Sequence, residues 1–214
     1  MLTIHHLGIS QSDRIIWLCE ELEIPYELVR YDRDPVRMHA APAAYKALHP
    51  AGTAPVITEN GRALAESGAI IDYIIQKHGG GRLAIAPDSP DYMDYLFWFH
   101  YGNGSMMPAE MTRGIMTQLG IPADSDFARS LLARSETAYS LVEDRLGKAD
   151  YLAGQNFSAA DIMMFFPLTT MRAFAPRDLT PYPNIRAYLQ RVGDRPAYRR
   201  AIEIADPDFT PPLS

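Results

Sequence analysis

A single cysteine, Cys19, occurs in 214 residues, so the chain has no disulfide framework and no Cys-x-x-Cys pair for dithiol exchange. A reducing compartment, the cytoplasm, is the expected location. No apolar run approaches the ~20 residues that cross a bilayer. The start, Met1-Leu2-Thr3-Ile4-His5-His6, has neither the basic nor the apolar region of a signal peptide. Positive charge is also short: 20 Lys and Arg against 26 Asp and Glu give a formal net charge of −6. That balance argues against nucleic acid or an anionic membrane as the main partner. Internal repeats and low-complexity blocks are missing too. What remains is the composition of a water-soluble globular protein, 47% hydrophobic and 21% charged, long enough for one large domain or two modest ones.

The pattern is organised around Gly52-Thr53-Ala54-Pro55-Val56-Ile57 and Ala65-Glu66-Ser67-Gly68-Ala69-Ile70-Ile71. Asn60-Gly61 suits a two-residue hairpin between short strands. Pro55 cannot donate to a ladder, so it belongs at the first residue of a strand or in a turn. A cis bond there would turn the N–H and C=O of Ala54 outward, where an extended peptide could pair with them. After Ala65 the period changes: Ile70, Ile71, Ile74 and Ile75 recur at helical spacing and Gly79-Gly80-Gly81 ends the run. Ser67 stands where an N-cap is expected. The first turn of this helix offers N–H groups and positive dipole to a carboxylate, and Glu66 offers a negative charge to an ammonium group. The ligand implied is a small peptide with a free amino-acid end. Taken singly, Ser67 as a plain cap and Glu66 as a solvated surface charge are the favoured explanation; the combination with the X-Pro strand start is much more specific.

Read in order, Leu2–Leu7 is a strand, Ile15 to Leu22 the apolar face of a helix that Pro25 ends, and Tyr26–Tyr31 an alternating second strand. The short crossover favours a parallel pair. A polar loop over Asp32–Met38 and a helix-prone stretch over Ala40–Leu48 follow. With the hairpin and the helix after it the order is βαβαββα. Arg82–Pro90 reads as a linker, and beyond it the pattern is helical alone. Asp91 to about Leu119 is rich in aromatics and Met but interrupted by Gly102-Asn103-Gly104 and Pro108; Phe127–Leu146 is strongly periodic. Ser158-Ala159-Ala160-Asp161 has capping-box spacing with Asp in the acidic place. Tyr182-Pro183 and Arg195-Pro196 open two more helices, and the Pro-rich tail from Asp206 is expected to lie along the surface. The division expected is residues 1–81, a linker over 82–90, and a helical domain over 91–214.

The X-Pro strand start, the Glu66-Ser67 pair opening a helix, and the later Phe157-Ser158-x-x-Asp161 together resemble the glutathione transferases. The likeness spans nearly the whole chain. It implies an α/β thioredoxin-like first domain, an all-α second domain, and glutathione as co-substrate. Carried over by residue, it assigns the cysteinyl backbone of glutathione to Ala54, flanked by Thr53 and Pro55. The γ-glutamyl end goes to Glu66 and Ser67. Ser158 and Asp161 are folding residues. The resemblance further implies a homodimer, a detoxifying transferase activity and, in its subtype, a serine-type, bacterial-like member.

Glutathione transfer needs a thiolate. An unperturbed thiol is only about 3% ionised at pH 7, and a hydrogen bond from a hydroxyl to the charged sulfur supplies about 1.5–3 kcal/mol. One well-placed hydroxyl is therefore sufficient, and neither a metal nor a general base is called for. Ser10 and Ser12 are the candidates. The resemblance points to Ser10, four residues before Arg14, whereas either serine alone would serve as the helix N-cap, and Ser10 with Asp13 has capping-box spacing. His5 and His6 fall on opposite faces of a strand, so at most one faces a core, and neither is assigned a catalytic role. Cys19, between Leu18 and Leu22, reads as a small buried hydrophobe. For the electrophile, Tyr101, Asn103, Met106 and Met107 are candidate walls, although these residue types also serve ordinary helix packing. The expected reaction joins glutathione to a small apolar electrophile. The alternatives are a glutathione-dependent disulfide reductase or isomerase of the same architecture, and a non-catalytic binding module.

Overall fold

A computed structural model describes residues 1–34 and 40–214. The polar loop expected over Asp32–Met38 therefore falls partly outside the described residues. Contact density divides the chain into two compact units, residues 1–82 with 194–210, and residues 83–193 with 211–214.

The first unit is built on a four-stranded sheet of order β2-β1-β3-β4. Strand β1 (Thr3–Leu7) pairs in parallel with β2 (Glu27–Tyr31) and antiparallel with β3 (Val56–Glu59), which pairs antiparallel with β4 (Arg62–Ala65). Between them run α1 (Asp13–Leu22) and the single turn α2 (Ala43–Lys46), and α3 (Ser67–Lys77) follows. The βαβαββα order and the parallel first pair agree with the sequence. The helix-prone stretch over Ala40–Leu48 shrinks to one turn, entered from Pro42 and closed at Leu48 by its N–H on the Tyr45 carbonyl. Both faces of the central strand β1 are covered, so His5 and His6 are both buried, where the sequence had allowed one of them at most. Alternation sends Ile4 and His6 to one face and His5 and Leu7 to the other. Tyr45, fully buried, donates its hydroxyl to the His5 carbonyl at 3.2 Å, and Leu7, Tyr45, Val56 and Ala65 form a core cluster there.

Helix α10 (Pro196–Ala205) also belongs to this unit. Arg195 grips Glu21 of α1 at 2.7 Å, Arg200 reaches Glu20 at 3.0 Å, and the Trp17 ring meets Tyr198 edge-on with centroids 4.9 Å apart. The chain that leaves α10 does not lie on the surface at its start: Asp206 is buried.

The second unit is helical: α4 (Tyr92–Tyr101), α5 (Met107–Gln118), α6 (Asp126–Leu146), α7 (Ala159–Leu168), the turn α8 (Met171–Phe174) and α9 (Pro183–Gly193). The glycines at 102 and 104 do not break the segment. A π-helical turn over Gly102–Met106 carries α4 into α5. Gly102 is required there by close approach, since a Cβ at that position would stand 3.0 Å from the Met163 carbonyl oxygen of α7. Helix α7 is buried along its whole length, and its start is the capping box the sequence announced. Ser158 Oγ accepts the Ala160 N–H at 3.3 Å, and Asp161 Oδ2 accepts the Ser158 N–H at 2.9 Å. The other oxygen of Asp161 takes the Leu152 N–H and the Tyr188 hydroxyl, each at 3.0 Å.

Candidate functional site

The Ala54–Pro55 bond is cis and Pro55 is buried immediately before β3. Among the described residues none takes up the N–H or C=O of Ala54. The Asn60-Gly61 loop turns through two left-handed residues, φ 51° and 75°, as a two-residue hairpin with this twist requires. Thr53 is exposed and Ala54 half-buried, so the segment offers a backbone edge on a rigid support.

The start of α3 differs from expectation in one respect. Ser67 is the first helical residue, and the N-cap is Glu66, held at φ 78°, ψ 120°. The Ser67 hydroxyl is therefore no cap. It is buried and accepts from Arg14 Nη1 at 3.3 Å. Arg14 also donates to Gln11 Oε1 at 2.5 Å. Burial pulls the Arg14 guanidinium down to about 10, partly offset by Asp13, so it remains a cation at neutral pH. A buried cation under a helix N-terminus, with a hydroxyl between them, favours a carboxylate. The exposed Glu66 side chain beside it favours an ammonium group.

The loop before α1 carries Ser10 and Ser12, and the structure brings their hydroxyls together at 2.7 Å. Ser12 was expected to cap α1. It precedes the helix, but at φ −73°, ψ −15° its hydroxyl bonds no helix N–H. The first turn is closed by main-chain carbonyls instead, those of Ser10 and Ser12. Ser12 Oγ turns back to β1, where it takes the Leu7 N–H at 3.1 Å and meets His6 Nδ1 at 2.8 Å. His6 Nε2 in turn lies 3.1 Å from Asp206 Oδ2, which also accepts the Ile9 N–H at 3.0 Å. Burial works to raise the Asp206 carboxyl, but His6, the Ile9 amide and Arg30 outweigh it and hold it below the usual range. From the sequence, His6 is assigned no catalytic role and Asp206 is only the start of the tail. Only a histidine on a strand and an acid in the tail signal them. Cys19 is fully buried and its thiol is pushed up to about 12, by burial first and then by Glu20, so it is not a nucleophile.

In the second unit, Tyr101 is half-buried and borders a cavity of about 550 Å³ shared with Pro108, Thr112, Leu131 and Arg134. Its ring stacks on Phe97 at 5.1 Å. Asn103 is half-buried, whereas Met106 and Met107 are buried in the packing at the π-helical turn. Of the four wall candidates, then, two keep accessible surface. Among the described residues no three His, Cys, Asp or Glu side chains are grouped to hold a metal ion. Among the described residues no helix is long and apolar enough to cross a membrane.

Comparison with known proteins bears on both units. Residues 5–82 match the family described as glutathione S-transferase, N-terminal domain, and residues 106–196 match glutathione S-transferase, C-terminal domain. Glutathione S-transferase 3 of Schizosaccharomyces pombe is 33% identical over 219 residues, spanning 95% of this chain and 87% of that protein. Glutathione S-transferase 1 of Saccharomyces cerevisiae is 31% identical over 229 residues, spanning 96% and 95%. A crystal structure of a glutathione S-transferase from Actinobacillus pleuropneumoniae superposes with a TM-score of 0.86 at 31% identity, covering 98% of this chain and 97% of that one.

Proposed function

Because the chain belongs to the glutathione S-transferase family and is an enzyme of that class, we propose that it adds the thiolate of glutathione to a small apolar electrophile, with Ser10 as the thiol partner. The observation that carries this reading is the Ser10 hydroxyl. It is buried, close to the start of α1, where it meets the Ser12 hydroxyl at 2.7 Å and accepts the Ser12 N–H at 3.3 Å. A hydroxyl so placed can donate to a thiolate for about 1.5–3 kcal/mol, which lowers a thiol by one to two units at about 1.36 kcal/mol per unit. The glutathione backbone pairs with Ala54 between Thr53 and Pro55, its γ-glutamyl carboxylate rests on Ser67 and the α3 N-terminus, and its amine faces Glu66. Arg14 supports this arrangement, because its side chain ties Ser67 to Gln11, the neighbour of Ser10. Tyr101 and Asn103, the two wall candidates that keep accessible surface, supply wall to the electrophile. The same reading extends to a cytoplasmic homodimer that removes reactive electrophiles; a 23.9 kDa species in sedimentation at micromolar concentration would contradict the dimer.

Titration calorimetry with glutathione tests the reading. The parent binds, and Ser67→Ala weakens binding by about tenfold, the equivalent of ~1.4 kcal/mol. A parent that takes up no glutathione at millimolar concentration refutes it. A screen of halonitroarenes, epoxides, enones and mixed disulfides then identifies the electrophile class.

A further inference from the structure

Four polar side chains run in single file through the buried interior of the first unit: Ser10, Ser12, His6 and Asp206, linked at 2.7, 2.8 and 3.1 Å. His6 and Ser12 are wholly buried and the two ends nearly so. With a neutral ring, one set of proton directions fits these partners. A carboxylate only accepts, so His6 carries its hydrogen on Nε2 toward Asp206, and Nδ1 of the neutral ring is an acceptor. Ser12 already accepts from the Leu7 N–H and donates to Nδ1. Ser10 then donates to Ser12. With His6 neutral, both hydroxyls point toward the ring, and Ser10 presents a lone pair rather than a proton to whatever lies beyond it.

We propose that His6, acting through Ser12 and Ser10, accepts the proton of the glutathione thiol, so that the thiolate and an imidazolium paired with Asp206 form together. This rests on the reading that the thiol lies at Ser10. In the step, the S–H bond breaks and its proton joins Ser10 Oγ. The former Ser10 proton passes to Ser12 Oγ, and the former Ser12 proton passes to His6 Nδ1. Asp206 stays a carboxylate and no proton is lost or gained overall. Afterwards the chain points the other way, and Ser10 O–H donates to the thiolate as the transfer reaction needs. His6 touches no substrate; it is a positioning and proton-holding residue. Once the thiolate is consumed, the Nδ1 proton returns through Ser12 and Ser10, which restores the Nε2–H tautomer; Asp206 also borders a cavity of about 230 Å³ with Gly8, Ile9, Arg30, Asp32 and Asp208. The charged groups around the His6–Asp206 pair are Arg30 of β2, 3.4 Å from Asp206 Oδ1, Asp32, 3.5 Å from Arg30, and Arg33, whose guanidinium holds the Gly8 and Ile9 carbonyls at 2.8 Å.

The test counts protons. On mixing the full chain with glutathione near neutral pH, the thiolate is read by its ultraviolet absorbance, and proton release by calorimetry in buffers of different ionisation enthalpy. The relay predicts thiolate with well under one proton released for each. Ser12→Ala and His6→Gln should each lower neutral-pH turnover about tenfold, the worth of one hydrogen bond to a charged group, and shift the pH–rate profile alkaline with KM for glutathione held. The double variant should be no worse than either single one, and Ser12→Thr should restore the profile. Asp206→Asn, which keeps an acceptor for the ring N–H, should also shift the profile and covers the case in which Ser12→Ala does not fold. Release of one full proton per thiolate, or profiles unmoved in Ser12→Ala, His6→Gln and Asp206→Asn, overturns the relay while leaving Ser10 as a simple thiol partner. No glutathione uptake by the parent overturns the site on which both rest.

Discussion

Helices α1 and α7 open on the same spelling, Ser-x-x-Asp, as Ser10-Gln11-Ser12-Asp13 and Ser158-Ala159-Ala160-Asp161, and use it differently. At α7 the serine is extended, φ −144° and ψ 176°, and both halves of the capping box close. At α1 the residue before the helix is already helical in its dihedrals and no side chain caps it. Its hydroxyl, with that of Ser10, is turned to His6 and Asp206. A serine cap is worth about 0.5–2 kcal/mol, so α1 forgoes a stabilising contact that α7 takes. The Ser12 hydroxyl that caps no helix N–H is the one that joins Ser10 to His6.

The comparison can be broken from the α7 side first, where the largest effect is expected. Asp161→Ala would leave the Leu152 and Ser158 N–H groups and the Tyr188 hydroxyl without their buried acceptor. At about 1–3 kcal/mol for each unsatisfied group, denaturant unfolding should show a loss of at least several kcal/mol. Burial also lifts the Asp161 carboxyl from its ordinary 3.8 to about 6, ahead of the hydrogen bonds from Leu152, Ser158 and Tyr188 that pull it down. An acid raised in the folded state favours folding below its unfolded value and loses that contribution as pH rises through the folded one. Asp161→Asn should therefore flatten the fall in stability between about pH 4 and pH 6, measured as unfolding midpoints across that range.

On the α1 side, Ser10→Ala should lower turnover near neutral pH by about ten- to a hundredfold, matching ~1.5–3 kcal/mol. The unfolding midpoint should fall as well, by the worth of about one buried unsatisfied group, ~1–3 kcal/mol, since the Ser12 N–H loses its acceptor. The smallest effect is expected for Ser158→Ala: a stability loss of about 0.5–2 kcal/mol, seen in the unfolding midpoint, with the pH–rate profile unchanged.

What the sequence made legible follows from distance along the chain. The hairpin at Asn60-Gly61, the proline opening β3 and the Ser158–Asp161 box are set by residues within four positions of each other, and each formed as spelled. The π-helical turn at Gly102 was less readable, because the close approach of Met163 that requires glycine comes from another helix. Ser67 was one residue off: a left-handed Glu66 takes the cap position and frees the Ser67 hydroxyl for Arg14. His6 and Asp206 lie 200 residues apart. No local pattern joins them. Only the docking of α10 on α1, through Trp17–Tyr198 and Arg195–Glu21, brings the tail acid beneath β1.

The central claim, that the Ser10 hydroxyl holds a thiolate, is tested most directly by titrating the thiolate absorbance of bound glutathione against pH in the parent, Ser10→Ala and Ser158→Ala. The account predicts that the Ser10→Ala curve moves alkaline by about one to two units at nearly unchanged glutathione affinity, while the Ser158→Ala curve superposes on the parent. A Ser10→Ala curve that superposes on the parent would contradict it.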